Sequence, residues 1–391
     1  MTDFFERSLI VHEHLRGKIS VVGKMPITNH DDLSLAYTPG VARPCEVIAK
    51  DQSKARELTI KRNSVAVVSD GSAVLGLGNI GPYAAIPVME GKALLFKEFA
   101  NIDAWPICLD TQEVDEIVET VKRIAPVFGG INLEDISAPR CFAVEQQLQD
   151  IGIPVFHDDQ HGTAIVLLAA MINATQVLGR DIASLRVVIS GAGAAGTAIA
   201  RLLRCIGHDP NVCIPVKDIV VCDSKGAIHK NRDQLTEEKQ ELLQYTNRQN
   251  RSGTIQEMLV GADVFIGVSK GGILTAEDVS RMADDPVVLA MANPIPEIMP
   301  DEAKRGGAAV VGTGRSDFPN QINNVLAFPG IFRGALDACA STITNEMQIA
   351  AARALAAATI NPSTEQVLPD PLDRSVAPQV AAAVAKASRE V

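Results

Sequence analysis

From about residue 64 onward, short apolar runs alternate with longer stretches of helical character. SVAVVSD (64–70), PVMEGKALLF (87–96), WPICLD (105–110), GGINLED (129–135) and IPVFHDD (153–159) read as strands. TQEVDEIVETVKRIAPVF (111–128), with Thr111 as its N-cap, and APRCFAVEQQLQDIG (138–152) read as helices between them. GTAIVLLAAMINATQVLG (162–179) is apolar all round, which predicts a buried helix stopped by Gly179. A second series then begins: strand RVVISG, helix AAGTAIARLLRCIG, and strands DIVVCDSKG, ADVFIGVSK, VVLAMANP and AAVVGTGR. Residues 1–60 look helical but irregular, broken by Pro39 and Pro44, and the tail from 346 looks helical.

Alternation of this kind predicts an α/β fold with parallel sheets. The long helix near 160–185 divides it into two domains, an N-terminal α/β domain (1–160) and a C-terminal Rossmann-type dinucleotide-binding domain with a helical tail (161–391). A chain of 391 residues that is 47% hydrophobic can bury a core in each. Its net charge of −11 argues against a nucleic-acid or anionic-membrane partner. The seven cysteines are scattered, with no C-x-x-C pair, so reduced thiols and a cytoplasmic setting are expected. No signal-like N-terminus is present, and the longest apolar run is too short for a bilayer span.

The glycine pattern G-x-G-x-x-G occurs twice, at Gly76, Gly78 and Gly81 and at Gly191, Gly193 and Gly196. Around the second, a strand, a glycine turn and a strong helix (Ala194, Ala195 onward) precede a strand ending in Asp223, about 30 residues on. That is the context a dinucleotide needs, with pyrophosphate on the helix N-terminus and ribose on the acid. The first copy is followed by Pro82 and Pro87, which on this reading prevent a helix from starting there. Asp223 favours NAD, whereas Lys225 could pair with a 2′-phosphate, so NAD and NADP both stay open with the strand-tip acid favouring NAD.

Glu134 and Asp135, and Asp158 and Asp159, end two strands, where chemistry gathers in parallel sheets. Such oxygens suit a hard cation, Mg²⁺ or Mn²⁺. His157 and His161 flank the second pair without a further soft ligand, so they read as packed histidines rather than zinc ligands. Lys92, among apolar residues, could have a depressed pKa and act as a base.

AYTPGVA, SDGSAVLGLGNIG, PVMEGKALLFK, FGGINLEDI, VFHDDQHGTA, ISGAGAAG, ANPIPEI and TGRSDFPNQINNVLAFPGIFRGALD together resemble the malic enzymes in their short bacterial form, from about residue 15 onward. The resemblance implies metal-dependent oxidation of L-malate by a nicotinamide cofactor and decarboxylation to pyruvate; a metal-dependent oxaloacetate decarboxylase is the alternative. It implies Lys92 as general base, Tyr37 as the acid that protonates C3, and Asp158 as the group tuning Lys92. Glu134, Asp135 and Asp159 would hold the metal, Asn293 and Asn324 would orient substrate and nicotinamide, and the loop of Gly76 would shape the substrate pocket. Longer members carry an arginine where this chain has Ala73, which leaves open what holds the C4 carboxylate. A homodimer is expected from the apolar N-terminal positions Phe4, Phe5, Leu9, Ile10 and Leu15 and from the family's oligomeric habit.

Overall fold

In a computed structural model describing residues 4–74 and 76–389, the two strand series form two separate sheets. The first contains β1 (Ser64–Ser69), β2 (Asp103–Cys108), β3 (Gly130–Leu133) and β4 (Val155–His157) in the order β2-β1-β3-β4, all parallel. The second contains β5 (Arg186–Ser190), β6 (Asp218–Asp223), β7 (Gly226–Ala227), β8 (Val264–Gly267), β9 (Val287–Ala290) and β10 (Val310–Thr313). Its order is β10-β9-β8-β5-β6-β7, parallel except for the short edge strand β7. The chain leaves β5 toward β6 on one side and later returns to β8 on the other. The strand order therefore reverses at β5, where open α/β sheets bind ligands.

The helix Thr163–Leu178 joins the two halves. Every residue from Ala164 to Met171 is buried, and Gly179 ends the helix in the left-handed region at φ 63°. The segment Asp158–Leu178 is long and apolar enough to span a bilayer, yet it is a core element packed against the helices Ala194–Leu203 and Asn345–Ala357. The helix Phe328–Asp337 folds back onto the first sheet's helix Gly81–Ala100, where Phe96 meets Phe328 and Phe332 edge-on at 4.7 and 5.3 Å.

Four sequence expectations change. PVMEGKALLF is no strand but the middle of Gly81–Ala100, burying Ala85, Met89, Lys92, Ala93 and Phe96 at helical spacing. Pro82 does not block that helix, because it stands in the first turn, where a missing N–H costs nothing. Pro87 is tolerated inside it. The helix announced by Thr111 starts at Val114, with Glu113 at the cap position; the Thr111 hydroxyl instead accepts from the Glu113 N–H at 3.2 Å. Finally, Cys205 and Cys213 form a disulfide, because the turn between them returns the chain to within 5.7 Å, Cα to Cα. The other five cysteines are free.

The segment ahead of β1 packs differently from the rest. Its helices Phe4–Leu15, His30–Ala36, Ala42–Lys50 and Ala55–Leu58 bury none of their residues. The Lys18 ammonium, donating to the Pro87 carbonyl at 2.5 Å, and the pair of Lys24 with Asp103 tie it to the body.

Candidate active site

Because β1, β3 and β4 are neighbours, their carboxyl ends deliver Asp70, Glu134–Asp135 and Asp158–Asp159 to one edge. Asp135 adopts a left-handed backbone (φ 54°), and its N–H donates to Asp159 Oδ2 at 2.7 Å, fastening one strand end to the other. A wide helical turn, Asp158–Gly162, then feeds the long helix and keeps Asp158 fully buried.

Lys92 enters from the helix above. Its ammonium lies 2.5 Å from Asp158 Oδ2 and 2.8 Å from Glu134 Oε1, and 4.1 Å from the ring centre of Phe328. Asn132 donates to the other Glu134 oxygen at 2.8 Å, and Asn324 donates to Asp158 Oδ2. Lys92, Asp158 and Asn324 thus come together from three distant parts of the sequence. The lysine is not depressed as expected. Burial alone would lower it, but Asp158, Glu134 and Asp159 outweigh burial and hold the ammonium above its ordinary value. Each such contact is on the order of 4 kcal/mol at an effective dielectric near 20, roughly three pKa units, so two of them decide the sign. Desolvation in turn pushes Glu134 and Asp158 up to about 7 and Asp159 up to about 6, against the pull of the lysine.

Carboxylates raised this far are short of positive charge. Oxygens of Glu134, Asp135 and Asp159 lie within 4.8 Å of one another, and among the described residues these three form the one such cluster of possible ligands. An all-carboxylate set at that spacing fits a hard divalent cation such as Mg²⁺ or Mn²⁺. Neither histidine belongs to it, although His157 Nδ1 lies 3.8 Å from Asp159 Oδ2. His161 Nε2 pairs with Glu145 at 3.0 Å, and His157 is fully buried, where desolvation lowers it to about 4.

At the second sheet, the turn Gly191–Gly196 follows β5. Gly191 has φ 116°, and a Cβ on Gly196 would come within 1.9 Å of the Gly191 carbonyl oxygen, so the helix Ala194–Leu203 packs tightly on the strand. A Cβ on Gly193 would meet nothing within 4 Å. No side chain caps this helix start, so its first N–H groups have no side-chain acceptor. A cavity of about 920 Å³ opens here, lined by Gly191, Asp223, Ser224, Lys225, Thr254 and Lys270 among others.

The first glycine copy also sits between a strand and a helix, and β2 is followed by Asp110, so its context is closer to a fingerprint than the sequence reading allowed. What separates the copies is packing. A Cβ on Gly76 would strike the Asn293 carbonyl at 2.6 Å, so this loop is pressed against the second domain rather than open to a pyrophosphate. Gly76 and Asn293 are therefore neighbours, and the Asn293–Pro294 bond is cis.

Two of the expected site residues lie outside the lysine–carboxylate cluster. Tyr37 is 69% exposed at the end of His30–Ala36, with no bond to Lys92 or its acids among the described residues. The Lys225 side chain is exposed, and only its N–H reaches Asp223, at 2.8 Å. The cations that hold Asp223 Oδ2 are Arg232, at 2.6 Å, and Lys239, at 2.7 Å. Sequence reasoning passed over both. The signal available was the basic residues in KNRDQLTEEK immediately after the strand, but their return to its tip depends on tertiary folding.

Comparison with known proteins matches residues 16–149 to the family model "Malic enzyme, N-terminal domain" and residues 160–389 to "Malic enzyme, NAD binding domain". The chain is 56% identical to the bifunctional malic/malolactic enzyme of Bacillus subtilis, over 98% of this chain and 93% of that one. It is 46% identical to the NADP-dependent malic enzyme of Escherichia coli, over 98% of this chain and 52% of the longer protein. The crystal structure of NAD-dependent malic enzyme from Thermotoga maritima superposes with a TM-score of 0.92 at 47% identity, covering 97% of this chain and 98% of that one. With both its domains matched in order, the chain belongs to the malic enzyme family.

Proposed function

We propose that this chain oxidises L-malate with a nicotinamide dinucleotide and decarboxylates the product, releasing pyruvate and CO₂. The observation that carries this reading is the buried Lys92 clasped by Asp158 and Glu134, beside the carboxylate group Glu134–Asp135–Asp159. Lys92 takes the C2 hydroxyl proton as hydride leaves C2 for the nicotinamide. In the keto acid so formed, the C3–C4 bond breaks, CO₂ departs, and the bond electrons pass to the C2 oxygen. Tyr37 then returns a proton to C3. Asn324 and Asn293 orient the reactants, and Phe328 keeps water from the lysine face.

Glu134, Asp135 and Asp159 would hold Mg²⁺ or Mn²⁺, which supplies Lewis acidity at the C2 oxygen. With those carboxylates neutralised, Lys92 is held less firmly in its protonated form, as a base near neutral pH requires. The role of Tyr37 requires the segment ahead of β1 to be carried to an active site. That segment exposes Phe4, Phe5, Leu9, Ile10, Leu15 and Leu35, and a homodimer is the assembly that covers it.

The test is the rate of cofactor reduction with L-malate and Mn²⁺, with pyruvate and lactate assayed as products. Release of pyruvate in step with reduced cofactor supports the reading. Decarboxylation of added oxaloacetate with no reduction on malate would establish the alternative, a decarboxylase on the same scaffold.

A further inference from the structure

Asp158 and Asp159 stand on a turn that is gripped from behind by one carboxylate. Glu145 belongs to the helix Arg140–Gln147, which packs against β4. Its Oε1 accepts from the His157 N–H at 2.9 Å. Its Oε2 accepts from Gln160 Nε2 at 3.2 Å and from His161 Nε2 at 3.0 Å. These donors come immediately before and immediately after Asp158 and Asp159, so Glu145 clasps the acid pair on both sides. Its side chain is 12% exposed, and a carboxylate that meets three donors with little water nearby is a built contact. The turn it holds is unusual. The Thr163 N–H returns to the Asp158 carbonyl, five residues back, a wide form that is rare and frequent at functional sites. A Cβ on Gly162 would strike Asp158 Oδ1, so the turn leaves that carboxylate little room. Behind it, Gln160 and His161 border a cavity of about 510 Å³ that Thr197 and Arg201 also line, so open space rather than packing backs the turn there. Glu145 is not one of the three clustered carboxylates, and it reaches them through this turn.

We propose that Glu145 is a positioning residue: by gripping the chain on both sides of the acid pair, it fixes Asp159 for a divalent cation and Asp158 for Lys92. This rests on the reading of Glu134, Asp135 and Asp159 as the cation site.

The experiment is titration of the full chain with Mn²⁺, followed by the EPR signal of the free ion, beside Tm and kcat on L-malate at saturating Mn²⁺. The wild type is expected to bind the ion. Glu145→Ala should weaken Mn²⁺ binding by ~10-fold or more, the loss typical of residues that orient metal ligands, and should lower kcat. Glu145→Asp keeps the charge but falls a methylene short of its donors, so it should also weaken binding, and it carries the test where the alanine variant does not fold. Glu145→Gln keeps the reach and an oxygen for the His157 N–H, and should recover most of the affinity. Val144→Ala removes part of a fully buried side chain on the same helix; it should lower Tm and leave Mn²⁺ affinity unchanged. Wild-type affinity in Glu145→Ala and Glu145→Asp overturns the positioning role while leaving the cation site standing. An equal loss in Val144→Ala does the same, as does a series in which aspartate restores binding and glutamine does not. A wild type that binds no Mn²⁺ overturns the cation site itself, and the positioning role with it.

Discussion

Lys92 and Asp158 form an ion pair from which solvent is almost wholly excluded, their side chains 6% and 0% exposed, at 2.5 Å. Removing one partner from such a pair leaves a buried charge without compensation. Lys92→Ala is therefore expected to abolish malate oxidation and oxaloacetate decarboxylation together, a loss of at least the ~10²–10⁴-fold typical of a general acid–base group. Asp158, already raised to about 7, takes up a proton in the variant, so folding and nucleotide binding should persist. Steady-state assays with circular dichroism and nucleotide titration check this. Near-wild-type turnover at neutral pH would remove Lys92 from the chemistry.

Glu134→Gln, Asp135→Asn and Asp159→Asn each delete one charge from a three-carboxylate group. The Mn²⁺ concentration for half-maximal activity should rise in every case by at least the ~10–100-fold known for lost outer-shell partners. Metal curves superimposable on the wild type would place the ion elsewhere.

Gly193 and Gly196 separate ligand contact from packing. Gly196→Ala sets a Cβ against the Gly191 carbonyl and should lower Tm. Gly193→Ala meets no protein atom, so Tm should hold while KM for the cofactor rises, because the methyl group occupies the space facing the helix N-terminus. The idea is sunk by a Gly193→Ala enzyme with unchanged cofactor KM.

Lys61 gives a pH signature far from the site. Its ammonium donates to the carbonyls of Ala125 and Phe128 at 3.0 and 2.6 Å, and burial lowers it from 10.5 to about 8, with Arg56 adding repulsion. Between about 8 and 10.5 the unfolded chain therefore binds more protons than the folded one, and this group's contribution to stability rises with pH. Below that window both states are protonated and its unfavourable contribution is constant. The difference in Tm between wild type and Lys61→Met should shift toward the wild type from pH 8 to pH 10. A shift in the opposite direction contradicts the assignment.

The exposed apolar face of Phe4, Phe5, Leu9 and Ile10 should be covered in solution. Sedimentation at micromolar concentration is expected to give a dimer, and deletion of residues 1–16 to weaken it. A clean monomer for the full chain would end the homodimer reading.

The alternation of strand and helix was legible in the sequence because parallel strands buried on both faces read as continuous apolar runs, as in β1 and β8. Gly81–Ala100 was misread because Pro82 and Pro87 look like breakers, and only the start of the helix shows that Pro82 costs nothing. At the site, the acids were visible as strand ends. The high proton affinity of Lys92 was not, since it depends on three carboxylates converging from β3 and β4. Arg232 and Lys239 lay outside any motif, and nothing local to residues 224–240 says that the segment returns to the strand it left.

The fold-back of Phe328–Asp337 also orders events during synthesis. Lys92 and Asp158 emerge from the ribosome well before Asn324 and Phe328, which seal and hydrogen-bond them. Until the last fifth of the chain arrives, neither Asn324 nor Phe328 is present to cover the lysine–carboxylate cluster. Completion of the candidate site is thereby tied to the late part of translation, and a chain cut short before residue 324 would hold the acids and the lysine without the hydrogen bond of Asn324 and the ring of Phe328.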